Sequence, residues 1–142
     1  MTGAIRNALG AALAALVLFA SPALGAGTGL VFVSNEKSNE VIVFDPTFKQ
    51  VKSIKTSHRP RDMHFNNAHT LLYVACGDDD TIDVIDVAKL EVVNSTPTGP
   101  SPEMFELSAD EKSFYVSDEE DSRIEKIDIA SGQSVQDVPT GA

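Results

Sequence analysis

Hydrophobic and polar positions repeat along the chain in blocks of about 42 residues. An aromatic residue followed by valine recurs at steps of 41 and 42 residues, at Phe32, Tyr73 and Tyr115. A second marker is a threonine that recurs every 42 residues, at Thr56, Thr98 and Thr140. Because two independent markers share one period, they indicate an internal structural repeat.

Each repeat predicts four short β-strands separated by polar turns. In the middle copy, alternating apolar residues and β-branched or aromatic side chains predict strands at 63–66, 71–76, 82–87 and 91–96. The last copy predicts strands at 104–108, 113–118, 124–129 and 134–138 in the same way. The first copy begins at its second strand, so the sequence predicts three, four and four strands, eleven in all, and an all-β fold.

Two further residue types mark strand boundaries in the repeat. Asp45, Asp86 and Asp128 end the third strand of each copy, where a carboxylate accepts a backbone N–H and closes a turn. Pro60 and Pro102 are expected just before the first strand of a copy, since proline has no N–H to donate to a sheet. We interpret all five residues as structural.

The N-terminal segment differs from the repeats. Arg6 is followed by an apolar run at 8–20 and by the small residues of 21–26. A basic start, a short apolar stretch and a small-residue exit are typical of a secretory signal peptide. The run is shorter than the roughly 20 residues that a membrane-spanning helix needs. The sequence therefore predicts a signal peptide at 1–26 and a periplasmic or secreted mature chain at 27–142 without a stable membrane span; an uncleaved anchor is the alternative.

Charge and cysteine content exclude some functions. The chain has 11 Lys and Arg against 21 Asp and Glu, a net charge of −10, so nucleic acid is not an expected partner. An acidic surface suits solubility and the docking of a basic partner. Cys76 is the single cysteine, so no intramolecular disulfide forms, and no Cys-x-x-Cys-His motif is present for covalent haem attachment.

The repeat resembles the YVTN family of β-propeller repeats. The residues that carry the resemblance are Phe-Val-Ser-Asn at 32–35, Tyr-Val-Ala-Cys at 73–76 and Thr-Gly-Pro-Ser-Pro at 98–102. The Ser-Asn-Glu-Lys-Ser-Asn segment at 34–39 is similar to exported propellers associated with pyrroloquinoline-quinone-dependent (PQQ-dependent) alcohol catabolism. The resemblance covers roughly 30–141, with copies starting near 30, 72 and 114. The chain departs from the family at 57–59, where glycine is usual.

Three copies are too few for a closed propeller, which normally has four to eight blades. Two apolar blade faces would remain in water. We therefore expect a partial β-propeller of about three blades that belongs to a longer protein. The alternative is a ring assembled from several chains.

Acidic turns are one candidate for metal binding. Residues 78–80 and 118–121 occupy the same hairpin turn in adjacent copies, and oxygen ligands of this kind suit calcium. The weak candidate ligands are Asp78, Asp80, Asp118 and Glu120. Solvated acidic turns are the favoured interpretation, since the spacing is not that of an EF-hand.

Histidines and arginine provide the other candidate chemistry. His64 lies on a first strand, which lines the channel of a propeller, and with Arg61 it is a weak candidate for binding an anionic ligand. Glu106 is the equivalent of His64 in the next copy. His58 and His69 are interpreted as satisfied or exposed, and Cys76 as a partly buried inert thiol.

Three functional hypotheses remain open. The resemblance implies a non-catalytic exported propeller that serves as a binding or scaffold module, accessory to periplasmic PQQ-dependent alcohol oxidation beside a quinoprotein dehydrogenase or a cytochrome c. The second hypothesis is a propeller enzyme or enzyme subunit, such as a lactonase or a quinoprotein dehydrogenase subunit. An adhesive cell-surface propeller is the third. We expect no catalytic residue and no bound cofactor, because Arg61, His64 and Glu106 are too few to build a catalytic site.

Overall fold

The computed structural model describes residues 28–141, which form eleven β-strands and no helix. The strands are β1 (Val31–Asn35), β2 (Glu40–Phe44), β3 (Gln50–Lys55), β4 (Pro60–Phe65), β5 (Leu71–Cys76), β6 (Thr81–Asp86), β7 (Glu91–Pro97), β8 (Pro102–Leu107), β9 (Ser113–Asp118), β10 (Arg123–Asp128) and β11 (Gln133–Pro139). In this part of the chain there is no helix long and apolar enough to cross a bilayer. The predicted signal peptide at 1–26 lies outside the described residues.

The strands form three antiparallel sheets in chain order. Blade 1 is β1–β3, blade 2 is β4–β7 and blade 3 is β8–β11, and within each blade every strand pairs with its neighbour in sequence. The predicted all-β fold with three, four and four strands is therefore confirmed. The strands predicted at 71–76 and 113–118 have the same boundaries in the structure, and the boundaries of the other predicted strands differ by up to three residues.

The blades stack face to face over two apolar clusters. Between blades 1 and 2 the buried residues are Val41, Val43, Ile54, Leu72, Val74, Cys76, Ile85 and Val87. Between blades 2 and 3 they are Tyr73, Ala75, Ile82, Val84, Phe105, Phe114, Val116 and Ile127. Because side chains alternate across a strand, β5 and β6 supply both clusters and are buried on both faces. Burial of each such side chain contributes about 1.5–3 kcal/mol.

The two prolines begin strands rather than precede them. Pro60 is the first residue of β4 and Pro102 is the first residue of β8, and both are buried. The expectation that they lie outside the strands was therefore wrong by two to three residues. The first position of a strand tolerates a missing N–H, so the physical reason for proline there is unchanged.

The strand-ending aspartates close turns, as predicted. Asp45 Oδ1 accepts the N–H of Thr47 at 2.8 Å, and Asp86 Oδ1 accepts the N–H of Ala88 at 3.0 Å. Asp128 Oδ1 accepts the N–H of Ser131 at 2.9 Å. The pKa of each aspartate is lowered, chiefly by hydrogen bonds that the Thr47 hydroxyl, the Lys89 N–H and the Ser131 hydroxyl donate to Asp45, Asp86 and Asp128 respectively.

The repeating threonine joins each linker to the preceding hairpin. The N–H of Thr56 donates to the carbonyl of Asn39 at 3.1 Å, and the N–H of Thr98 donates to the carbonyl of Asp80 at 2.8 Å. In blade 3 the corresponding bond runs from Thr140 to Ser122 at 2.9 Å. The period of 42 residues seen in the sequence therefore corresponds to one recurring backbone contact per blade.

The turn before the last strand contains a residue with left-handed backbone in every blade. Its residue is Phe48 (φ 62°) in blade 1, Leu90 (φ 55°) in blade 2 and Gly132 (φ 66°) in blade 3. Only glycine adopts this region without steric cost. At this position of the repeat, Gly132 adopts the left-handed conformation without strain, whereas Phe48 and Leu90 adopt it at a steric cost.

We expect Phe48→Gly to raise the free energy of unfolding by about 0.5–1 kcal/mol. The substitution removes a left-handed cost of about 1–2 kcal/mol, less the extra entropy of about 0.5–1 kcal/mol that glycine loses on folding. Phe48 is 78% exposed, so little packing is lost. Denaturant unfolding measures the change. Leu90→Gly is the matched control, because Leu90 packs against the apolar cluster between blades 1 and 2 and its removal should destabilise the protein. Equal stabilisation by both variants would contradict this explanation.

Candidate functional site

The inner strands β4 and β8 carry the channel candidates, of which His64 and Glu106 line one cleft and Arg61 does not. β4 carries Arg61 and His64, β8 carries Glu106, and the two strands are neighbours in space across the interface of blades 2 and 3. Arg61 Nη2 forms an ion pair with Glu103 Oε1, which joins the two strands. The guanidinium and the carboxylate are about two-thirds buried, so this pair is a fixed part of the inner surface.

His64 is held by a carboxylate and an aromatic ring. Its Nε2 lies 3.1 Å from Asp62 Oδ2, and its ring meets the Phe105 ring edge-on at a centroid distance of 5.0 Å. Asp62 Oδ2 also accepts the backbone N–H of Phe105 at 3.1 Å. The carboxylate therefore orients the imidazole and connects β4 to β8 with the same oxygen.

A cleft of about 410 Å³ lies beside these strands. Its polar lining includes His64, Asn67, Glu106 and Glu111, at the end of the blades where β4 and β8 turn back into β5 and β9. The backbone N–H of Asn67 donates to the carboxylate of Glu111, which ties the two turns together. An imidazole and two carboxylates can bind a cationic or hydrogen-bond-donating group.

The acidic turns serve the linkers between blades. Asp78 forms an ion pair with Arg59 at 3.6 Å, and Asp80 Oδ1 accepts the N–H of Ser101 at 2.9 Å. Glu120 is exposed. Within residues 28–141, no group of three or more His, Cys, Asp or Glu side chains lies close enough to hold a metal ion. The four candidate ligands are not brought to one point by the fold.

Asp118 has a different environment from the other three candidates. It ends β9 with its side chain fully buried, and Arg123 Nε donates to Oδ2 at 2.7 Å, while Oδ1 has no hydrogen-bond partner among the described residues. Burial raises the pKa of Asp118, and the Arg123 guanidinium partly offsets this shift. The sequence predicted a solvated turn for this residue, but its carboxylate is buried beside Arg123 and next to Gly99 of the linker between blades 2 and 3.

The remaining candidates have structural environments. His58 Nδ1 lies 2.8 Å from Asp79 Oδ2, and the backbone N–H of His58 also donates to that oxygen and lowers the pKa of Asp79. The His69 ring packs against the Phe65 ring, with the two ring centroids 5.5 Å apart. Cys76 is fully buried, not partly buried as expected, and burial raises the pKa of its thiol. A thiol in this state is a poor nucleophile.

Two buried carboxylates were missed by the sequence interpretation. Asp83, on β6, is 1% exposed and accepts hydrogen bonds from the Ser57 N–H at 2.7 Å, Ser57 Oγ at 2.9 Å and Ser95 Oγ at 2.8 Å. Glu125, at the same place on β10, accepts the N–H of Gly99 at 2.7 Å. The signal was an acidic residue at the same repeat position of β6 and β10, 42 residues apart and directly after an isoleucine in both strands.

Solved structures with this arrangement of blades are β-propeller proteins. Hydrazine synthase from Kuenenia stuttgartiensis superposes with a TM-score of 0.69 and 31% identity, over 77% of this chain and 33% of that chain. The dihydro-heme d1 dehydrogenase NirN, in complex with DHE, superposes with a TM-score of 0.67 and 19% identity, over 81% and 25% of the two chains. The chain has a β-propeller fold.

A third similar structure is a 6-phosphogluconolactonase-like protein from Bacteroides uniformis, with a TM-score of 0.64 and 20% identity, over 78% of this chain and 37% of that chain. This chain thus spans between 25% and 37% of the length of these three neighbours. No protein-family model and no curated protein sequence matches the chain. These neighbours include enzymes, so the fold alone does not decide between catalysis and binding.

Proposed function

We propose that the chain is part of an exported β-propeller, periplasmic or secreted, that works as a non-catalytic binding or scaffold module. The observation that carries the proposal is the pairing of the inner-strand side chains with one another. Arg61 is bound to Glu103, and His64 is bound to Asp62, which also holds the backbone of β8. The groups most suited to catalysis therefore connect the blades.

The partner is proposed from charge and from the resemblance of the repeats. The chain has 21 acidic against 11 basic side chains, and exposed carboxylates such as Asp78, Glu119 and Glu120 lie at the end of the propeller formed by the hairpin turns. An acidic surface attracts a basic partner and accelerates its association. Together with the YVTN-like motifs, this supports an accessory role in PQQ-dependent alcohol oxidation, next to a quinoprotein dehydrogenase or a basic cytochrome c.

Calorimetric titration tests the binding role. We expect the exported, purified chain to bind a basic c-type cytochrome or a PQQ-dependent alcohol dehydrogenase, with an affinity that falls at least about tenfold between about 20 mM and about 300 mM salt. A variant with Asp78→Asn, Glu119→Gln and Glu120→Gln should bind more weakly. A matched control with Asp45→Asn and Asp110→Asn, on the opposite end of the blades, should bind like the unmodified chain. Absence of binding to both proteins at low salt would contradict the accessory role.

A second candidate function is an enzyme or an enzyme subunit. The observation in its favour is the cleft that places His64 near Glu106 and Glu111. We propose the binding role instead because Asp62 already orients His64 for a structural contact. Lactone hydrolysis and PQQ-supplemented alcohol oxidation should therefore stay at background, and turnover that disappears in His64→Ala, with the melting temperature retained, would establish the enzymatic alternative.

A further inference from the structure

Two buried carboxylates of blade 3 lie on the face that packs against blade 2. Asp118 ends β9 with its side chain fully buried, and Glu125 on β10 is 6% exposed. Arg123 pairs with Asp118 across the two strands, and Glu125 lies two residues farther along β10. Side chains two residues apart point to the same side of a strand, so these three groups share one face with Val116, which belongs to the apolar cluster between blades 2 and 3.

Both carboxylates lie against Gly99, in the linker at 98–101 that joins blade 2 to blade 3. Glu125 Oε2 accepts the N–H of Gly99 at 2.7 Å. A Cβ on Gly99 would collide with Oδ2 of Asp118, so this second carboxylate is packed on the same glycine. Two like charges that are close together and shielded from water make each other's ionisation less favourable.

The cation that faces the pair is shared with other carboxylates. Arg123 Nε donates to Oδ2 of Asp118 at 2.7 Å, and the other guanidinium nitrogens lie 3.4 Å from Asp121 and from Asp137. Oδ1 of Asp118 is buried and has no hydrogen-bond partner among the described residues. This oxygen is therefore the place where a proton removes a buried negative charge without breaking the bond to Arg123.

The other elements around Asp118 add no second cation at this point. On β8 the residue paired with Asp118 is Pro102. Asp80, from the hairpin turn of blade 2, accepts the N–H of Ser101, and Glu119 lies 3.5 Å from the Ser101 hydroxyl. Burial, followed by the charges of Glu125 and Asp121, raises the pKa of Asp118, and Arg123 offsets only part of this shift.

Blade 2 has the same linker contact without the second carboxylate. Asp83, 42 residues before Glu125, accepts the N–H of Ser57 at 2.7 Å, in the linker that comes from blade 1. At the position of Asp118, blade 2 has Cys76, and burial raises the pKa of its thiol, which stays neutral near pH 7. The pair of carboxylates is thus a feature of blade 3 and not of the repeat.

We propose that Asp118 and Glu125 form a pH-sensitive contact that controls how firmly blade 3 holds the linker from blade 2. In the closed state a proton on Oδ1 of Asp118 leaves one negative charge, on Glu125, beside the Arg123 cation. Loss of this proton places two buried negative charges against Gly99, and the bond from the Gly99 N–H to Glu125 opens more often. This inference is independent of the acidic surface and of its proposed partner.

The direction of the pH effect follows from proton binding. Because the pKa of Asp118 is raised in the folded chain, the closed state binds more protons than the opened state, in which the carboxyl is hydrated. Opening therefore becomes more favourable as the pH rises from the ordinary aspartate value of 3.8 to the raised pKa, and it levels off above that pKa. A tenfold increase in proton affinity gives a tenfold range of the opening constant.

Amide hydrogen exchange and carboxyl titration by NMR test the proposal on the unmodified chain. We expect the opening constant at the Gly99 amide, corrected for intrinsic exchange, to rise at least about threefold between about pH 4 and about pH 8. The Ser57 amide is the internal control, and its opening constant should change less. The side-chain carboxyl carbon of Asp118 should titrate with a midpoint above 3.8. A midpoint at or below this value, or equal pH responses of the two amides, would overturn the proposal.

Three variants assign the effect to the pair. Asp118→Asn keeps an acceptor for Arg123 but cannot ionise, so opening at Gly99 should no longer depend on pH. Glu125→Gln removes the neighbouring charge and should lower the titration midpoint of Asp118. Asp110→Asn, in a turn at the other end of the blades, should leave both readouts unchanged. An unaltered pH response in Asp118→Asn would contradict the proposal, and the titration of the unmodified chain decides it even where a variant does not fold.

Discussion

Replacing Asp83 by alanine is expected to lower the free energy of unfolding by about 3 kcal/mol. The carboxylate is buried in blade 2 and holds the linker from blade 1 through the N–H and the hydroxyl of Ser57, as well as the hydroxyl of Ser95. Without it, the N–H and the hydroxyl of the half-buried Ser57 lose their acceptor, and so does the hydroxyl of the exposed Ser95. A donor left unsatisfied away from water costs about 1–3 kcal/mol before relaxation. Denaturant unfolding, followed by the circular dichroism of the sheets, measures the loss.

Asp86→Ala is the matched control for this prediction. Asp86 ends the same strand, but its carboxylate is partly exposed and accepts the N–H groups of Ala88 and Lys89 in a surface turn. Water can replace such an acceptor, so the expected loss is about 1 kcal/mol. Equal losses in the two variants would mean that Asp83 stabilises only its own hairpin and does not connect the blades.

Gly99→Ser is expected to cost about 2–3 kcal/mol, because a Cβ at this position would collide with the carboxylate of Asp118. Asp118 cannot move away easily, since its side chain is fully buried and bound to Arg123 at 2.7 Å. The equivalent positions in blade 2 are Ser57 and Cys76, 42 residues earlier in each case. Blade 2 therefore has serine at position 57, where the repeat pattern has glycine, and also has cysteine at position 76, where blade 3 has aspartate.

A double variant tests whether these two positions determine each other. Gly99→Ser combined with Asp118→Cys recreates the pair found in blade 2, and we expect it to be more stable than the sum of the two single changes by at least about 1 kcal/mol. Melting temperatures and denaturant unfolding of the four chains complete the cycle. Strict additivity would show that the serine is accommodated without contact to residue 118.

Local pattern was sufficient for the architecture but not for the candidate site. The period of the Phe32, Tyr73 and Tyr115 markers predicted the number of blades and strands. His64 was predicted to lie on a first strand with Arg61 nearby, and both residues lie on β4, but their partners Asp62 and Glu103 were not predicted. Glutamate and aspartate are usually found at protein surfaces. The positions of Glu103 and Asp62 in the sequence therefore do not show whether each carboxylate pairs across blades or is solvated.

The sequence by itself determined the repeat, the eleven strands and the aspartate turns, because each depends on residues within one hairpin. Tertiary structure alone decided the close approach of Asp118 to Gly99, the contact of Asp83 with Ser57 and the ion pair of Arg61 with Glu103. These features join residues of different copies, and their geometry depends on how far one twisted sheet is rotated against the next. Periodicity gives the position of a residue within its blade, whereas the distance between blades follows from the packing of all the side chains that separate them.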